Sequence, residues 1–202
     1  DGDGWRAGED DAPSVGCRLS LEGHGAAVFC SALTPEVVLS GSDDKCAKAW
    51  DLASGRCLHT WSHPGGVNGI AVAGDVVATA CDDKMVRTFS LGTGECSRTL
   101  GGHNAWIASV CLGVNGLLFS GDGKEGVRVW ALTPGGGDTV AFLRHPKGVY
   151  GLAVSPADGS LATGCNDEHL RVWRPSIMQP TVKSAGAAAG RGVRGGRGAG
   201  GA

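Results

Sequence analysis

Four aromatic residues, Trp50, Phe89, Trp130 and Trp173, stand 39, 41 and 43 residues apart along the chain. A period of that length constrains the architecture before any local reading. Units of about 20–50 residues cannot bury a face alone and must stack or fan out against copies of themselves. Each aromatic ends a similar tetrapeptide: Ala47-Lys48-Ala49-Trp50, Val86-Arg87-Thr88-Phe89, Val127-Arg128-Val129-Trp130 and Leu170-Arg171-Val172-Trp173. One histidine precedes each: His24, His63, His103 and His145. Four residues after each histidine comes Val28, Val67, Ile107 or Val149. Ten residues before each aromatic stands a hydroxyl, on Ser40, Thr79, Ser120 or Thr163. Six before it stands Asp44, Asp83, Lys124 or Asp167, and only the lysine breaks the series.

Within a unit the pattern is that of short strands. In the first they are expected at about 26–33, 36–42, 46–52 and 55–62, with Pro35, Asp43-Asp44-Lys45 and Ser54-Gly55 at the turns. No helix of ten or more residues fits between these markers, so the fold class is all-β.

Gly23-His24 with Trp50-Asp51 resembles the Gly-His…Trp-Asp signature of the WD-repeat family, and the resemblance runs over residues 15–174. It implies a β-propeller of four blades. The repeats are expected at about 23–62, 63–101, 102–144 and 145–174, with an outer strand at 15–22. It also implies hydrogen-bonded tetrads: His24, Ser40, Asp44 and Trp50 in the first blade, and His145, Thr163, Asp167 and Trp173 in the fourth. The second would hold His63, Thr79 and Asp83, with Phe89 in place of the indole donor. The third would hold His103, Ser120 and Trp130, with Lys124 where aspartate is expected. That blade is therefore expected to be the least stable, and Asp122 is expected to substitute only through a register change. A catalytic-triad reading of these residues is weaker, because they recur once per repeat and a triad would be unique.

The ends carry their own signal. Cys17–His24 aligns with Cys96–His103, an outer strand leading into the next blade, yet no blade of its own precedes it. The fourth repeat stops after its third strand, at about Arg174. Three arrangements fit: a compact four-blade ring, a piece of a larger propeller, or an arc that closes only against another chain. A self-closed ring would pair residues 17–22 with Leu170–Trp173. The chain opens on Asp1 rather than Met, the expectation for a fragment or a processed product. Residues 1–14, acidic and Gly-rich, and residues 175–202, rich in Gly, Ala and Arg, are too poor in apolar residues to fold and are expected to be disordered.

With a net charge of −2 and 19% charged residues, the chain lacks a broad basic face for duplex nucleic acid. The eight cysteines form no Cys-x-x-Cys pair, so zinc has no spacing to rest on, and they are read as small buried residues of a reducing, intracellular compartment. No apolar run is long enough to span a membrane. Cofactors, metals and a small-molecule substrate are not expected, and neither is enzymatic activity.

The expected function is a non-catalytic protein–protein interaction scaffold, with the partner on the loop face. By family resemblance, contact positions lie three and five residues after each histidine and one before the turn aspartate. They select Trp106, Phe29, Tyr150, Asn68, Asp43, Asp82 and Asn166 as candidates, with Trp106 the outlier among small equivalents. The alternatives are a substrate receptor of a ubiquitin ligase, or an RNA-associated protein using Arg191, Arg194 and Arg197. Against the first, the candidate positions hold no arginine and position 53 is Ala53, not the arginine of a Trp-Asp-x-Arg motif.

Overall fold

The computed structural model describes residues 16–133 and 139–174. Among these residues, fifteen strands form four antiparallel sheets. The first contains β1 (Val28–Leu33), β2 (Val37–Ser42), β3 (Cys46–Asp51) and β4 (Cys57–Ser62). The second contains β5 (Val67–Ala73), β6 (Val76–Cys81), β7 (Val86–Ser90) and β8 (Cys96–Leu100). The third contains β9 (Ile107–Leu112), β10 (Leu117–Asp122), β11 (Gly126–Ala131) and β12 (Thr139–Arg144). The fourth has three strands, β13 (Val149–Val154), β14 (Leu161–Cys165) and β15 (Leu170–Trp173). Among the described residues the helical content is one 3-10 turn, Val114–Gly116. Lys45, Lys84 and Glu168 adopt left-handed φ values of 67°, 68° and 70° at the tight turns after β2, β6 and β14.

Each sheet is a blade with two unlike faces, because side chains alternate along a strand. In blade one, Leu39 pairs with Ala49 and Gly41 with Ala47 on one face, while Val38 pairs with Trp50 and Ser40 with Lys48 on the other. The first face packs on blade two: Leu39, Ala47 and Ala49 form one core cluster with Val67, Val77 and Phe89. The same join recurs between blades two and three through Ala78, Ala80, Ile107 and Trp130. It recurs again between three and four through Phe119, Val129, Val149 and Leu161. The residue four after each histidine is the knob of the join. Val67 lies over Gly41 and Val149 over Gly121, each fully buried.

The inner strands β1, β5, β9 and β13 stand side by side in that order, and no comparable packing returns from β13 to β1. The blades thus form an open arc. The pairing expected of a self-closed ring does not form: among the described residues β15 pairs only with β14, and residues 16–25 join no sheet. Leu19 and Leu21 instead lie within van der Waals reach of Gly55, as His59 lies on Gly94 one blade later. The segment therefore holds the outer-strand station against blade one with no sheet behind it. On blade four, Leu170 and Val172 are 73% and 65% exposed, whereas their blade-three counterparts, Val127 and Val129, are buried.

A Cβ at position 41 would stand 2.6 Å from Val67 Cγ1. Gly41→Ala is therefore expected to destabilise the chain by about 1–3 kcal/mol through overpacking. Gly16→Ala, with nothing within 4 Å, should shift stability by less than about 0.5 kcal/mol. Urea denaturation of both variants measures the difference.

Candidate interaction site

The histidines are held in two ways. In blade one His24 Nδ1–H donates to Asp44 Oδ2 at 2.8 Å, and Nε2 lies 2.7 Å from Ser40 Oγ. Trp50 Nε1 donates to the same hydroxyl at 2.8 Å. The hydrogen-bond pattern assigns the direction: indole N–H to Ser40 Oγ, Ser40 O–H to imidazole Nε2, imidazole Nδ1–H to carboxylate. Asp44 also accepts from the N–H of Gly25 and of Cys46. Burial opposes its charge, but these donors and His24 outweigh it and hold the carboxyl at about 2.

Blade three has the same chain: His103 Nδ1 to Asp122 Oδ2 at 2.8 Å, Nε2 to Ser120 Oγ at 2.7 Å, and Trp130 Nε1 to Ser120 Oγ at 2.8 Å. This corrects the expectation of a blade lacking its acid. Asp122 is the last residue of β10, at the station Ser42 has in β2. No register change is needed, since Ser120 still faces Arg128 as Ser40 faces Lys48. Asp122 Oδ1 also accepts from the N–H of Lys124, Glu125 and Gly126. Burial works against its charge, yet His103 and these amides hold it at about 2.

Blades two and four differ. His63 Nδ1–H donates to Trp61 O at 2.9 Å and His145 Nδ1–H to Leu143 O at 2.9 Å, the carbonyls of the preceding blade's outer strand. Their Nε2 atoms still meet Thr79 and Thr163 at 2.9 Å, and Trp173 Nε1 donates to Thr163 at 3.0 Å. Asp83 and Asp167 are not in the chain. Each forms a two-pronged ion pair with the arginine four residues on, Arg87 at 2.6 and 3.2 Å and Arg171 at 2.6 and 3.0 Å. Arg171 holds the Asp167 carboxyl well below the usual carboxylate range. Burial pulls His63 below the usual imidazole range, and the charge of Arg87 adds to that. The expected fourth tetrad thus keeps His145, Thr163 and Trp173 and loses Asp167.

The cause was in the sequence. His24 and His103 follow Gly23 and Gly102, whose φ values of 142° and 131° suit only glycine. His63 and His145 follow Ser62 and Arg144 and precede Pro64 and Pro146. Proline has no N–H to give the carboxylate, as Gly25 does. The backbone there instead continues straight from the outer strand, with His63 N–H on Lys45 O and His145 N–H on Glu125 O.

These chains support a loop face built by one repeated rung. Asp43 N–H donates to Ala27 O, Asp82 to Gly66, Gly123 to Trp106 and Asn166 to Gly148, all at 2.9–3.0 Å. The rung joins the loop before each inner strand to the turn after the second strand. Asp43, Asp82, Asn166, Phe29, Tyr150 and Trp106 are exposed on or beside it. Asn68 is half-buried and committed, donating to Asp82 Oδ1 at 2.7 Å and to Ile107 O at 3.1 Å. Trp106 and Tyr150 meet with ring centroids 5.7 Å apart. Trp106 lies over Gly123, where a Cβ would come within 2.6 Å of the indole. Arg191, Arg194 and Arg197 lie outside the described residues.

The family model described as "WD domain, G-beta repeat" matches residues 16–51, 55–90, 94–131 and 137–174. The chain belongs to the WD-repeat family. The DENN domain and WD repeat-containing protein SCD1 of Arabidopsis thaliana is 29% identical over 160 residues, covering 76% of this chain and 13% of that protein. Nuclear distribution protein PAC1 of Saccharomyces cerevisiae is 39% identical over 56 residues, 27% of this chain and 11% of that protein. Human coronin-7 is 39% identical over 69 residues, 34% of this chain and 7% of that protein. The chain thus spans 13% or less of the length of each of these relatives. Among solved structures, the computationally designed Ika4 protein matches with a TM-score of 0.71 at 27% identity, covering 79% of this chain and 99% of Ika4.

All eight cysteines are free thiols, but against the expectation of buried residues only Cys81 is buried, Cys30, Cys46, Cys111 and Cys165 are half-buried, and Cys17, Cys57 and Cys96 are exposed. Burial pushes those of Cys30 and Cys111 up to about 12, so both stay protonated and serve as packing groups. Among the described residues, no helix is long and apolar enough to cross a membrane.

Asp122→Ala is expected to cost about 1–3 kcal/mol by orphaning His103 and three amides. Asp167→Ala, which breaks a partly exposed ion pair, should cost clearly less than Asp122→Ala, and Lys124→Ala less than about 0.5 kcal/mol. Denaturant midpoints of the three variants check the order, and an equal loss at Lys124 would contradict it. The sign of the pH effect follows from the lowered carboxyl. The Asp122 contribution is complete above about pH 4 and is lost as pH falls through about 2. Asp122→Asn should flatten that limb of the acid unfolding curve.

Proposed function

We propose that the chain is a non-catalytic interaction scaffold whose partner binds the loop face around Trp106 and Tyr150. The observation that carries this reading is the exposed aromatic pair at the junction of blades three and four. Trp106 is 40% exposed and Tyr150 49%, while the knobs beside them, Ile107 and Val149, are fully buried. Large, stiff aromatic side chains that are half in solvent bind tightly at small entropic cost and dominate interface energetics. Gly123 makes room for the indole, so the two departures from the repeat at 106 and 123 act as one.

On the same loop face, Asn166 and Asp82 offer acceptors on the turns of blades four and two, while Asp43 and Phe29 lie on blade one, at the other end of the arc. The polar groups in the blades are already paired with one another in a once-per-blade pattern, which supports a structural role for them. The same pairing disfavours a reading in which His24 or His103 serves as a general base. A reducing, intracellular compartment fits the free thiols.

Affinity purification with quantitative mass spectrometry tests the reading on three forms: the native chain, Trp106→Ala, and Glu36→Ala on the opposite end of blade one. Trp106→Ala should lose at least about tenfold in the recovery of specific partners, as expected of an aromatic hot spot, with an unchanged thermal midpoint. Glu36→Ala should recover them all. Identical recoveries for Trp106→Ala and the native chain would overturn the loop-face assignment.

A further inference from the structure

Three joins between blades are made here by one device, and the two ends of the arc carry its unused halves. On the giving side of each join, a β-branched knob enters the preceding sheet: Val67, Ile107 and Val149, all fully buried. Their counterpart in blade one, Val28, is 53% exposed. On the receiving side, the floor is Gly41, Ala80 or Gly121. The counterpart in blade four is Gly164, and a groove of about 440 Å³ opens over it, walled by Tyr150, Gly151, Cys165 and Leu170.

Strand pairing shows the same complementarity. Among the described residues blade four has no outer strand, and residues 17–21 form an outer-strand segment without a sheet. By the register in which β4 pairs with β3, Cys17 would face Trp173, Leu19 would face Val172, and Leu21 would face Leu170. Leucine therefore meets valine and leucine at the two positions where blade four is bare. An unpaired edge with exposed apolar neighbours is a template for another strand.

The two ends do not meet within one chain. Residues 17–21 are already seated on blade one, at the far end of the arc from β15. We infer that the blade-four face is an interface for blade one of a second copy of this chain. The inference rests on the blade faces rather than on the loop-face reading, with which it shares Tyr150 alone. Two copies placed head to tail about a two-fold axis form two identical joins and leave no blade face bare, the closed arrangement expected of a symmetric dimer. Each copy's 17–21 segment stays on its own blade one and becomes the fourth strand of its partner's blade four.

Light scattering coupled to size exclusion on the 202-residue chain is expected to give twice the 20.4 kDa chain mass. Leu170→Arg on one face and Val28→Arg on the other should each return the mass to a single chain. Both residues are exposed within the arc, so circular dichroism should be unchanged. Paired cysteines, Leu19→Cys with Val172→Cys, should oxidise to a covalent two-chain species. A single-chain mass for the native protein would overturn the inference. So would a dimer indifferent to both arginines, a Leu19–Val172 crosslink within one chain, or a ladder of ever larger oligomers.

Discussion

Face-to-face packing of successive sheets is the constraint on which the rest of this molecule depends. A four-stranded sheet this short cannot cover its own apolar face. Leu39, Ala47 and Ala49 are covered only because Val67, Val77 and Phe89 lie opposite. The spacing between sheets is set by a small residue under a β-branched one, Gly41 under Val67 and Gly121 under Val149. That leaves no freedom for a side chain at those glycines. It also fixes where the inner strands stand, and hence where the loops before them emerge.

The histidines adapt this packing to the local chain, and they do so in alternation. In blades one and three the imidazole is tied to an acid of its own blade, Asp44 or Asp122. In blades two and four it is tied to the outer strand of the preceding blade, at Trp61 or Leu143. The first kind fixes a blade internally, and the second staples two blades together. The arc is therefore two similar pairs of blades, one and two, three and four. The sequence carries the same alternation: Gly-His with serine in the odd blades, His-Pro with threonine and an Asp-to-Arg ion pair in the even ones.

Much of this could be read before the structure. The period, the strand positions, the all-β class, the knob after each histidine and the hydroxyl before each aromatic all follow from spacing. What could not be read from spacing alone was which partner each polar group would choose. Asp122 is expected to serve only through a register change, yet its carboxylate reaches His103 from two residues upstream of the expected station with the strand register unchanged. Asp83 and Asp167 stood at the expected station, but an arginine four residues on offers two charge-assisted bonds, stronger than one bond to a neutral imidazole. The proline after the histidine was the visible sign, since it removes the backbone donor that helps hold the acid in blade one. The open arc was beyond reach of spacing, because an orphan outer strand pairs equally well on paper with its own fourth blade or with another chain.

On the loop face, the same economy of small residues decides what is presented. Gly66 and Gly148 are buried beneath the turns, and Gly123 leaves room that Trp106 fills. The alternation of the histidines is the account's central claim, and the nitrogen-15 long-range NMR spectrum of the imidazole rings tests it most directly. All four of His24, His63, His103 and His145 should appear as the Nδ1–H form. The Nδ1 protons of His24 and His103, donated to carboxylates, should lie farther downfield than those of His63 and His145, donated to carbonyls. Four equivalent protons, or a downfield His145 that moves when Asp167 is replaced by alanine, would contradict it.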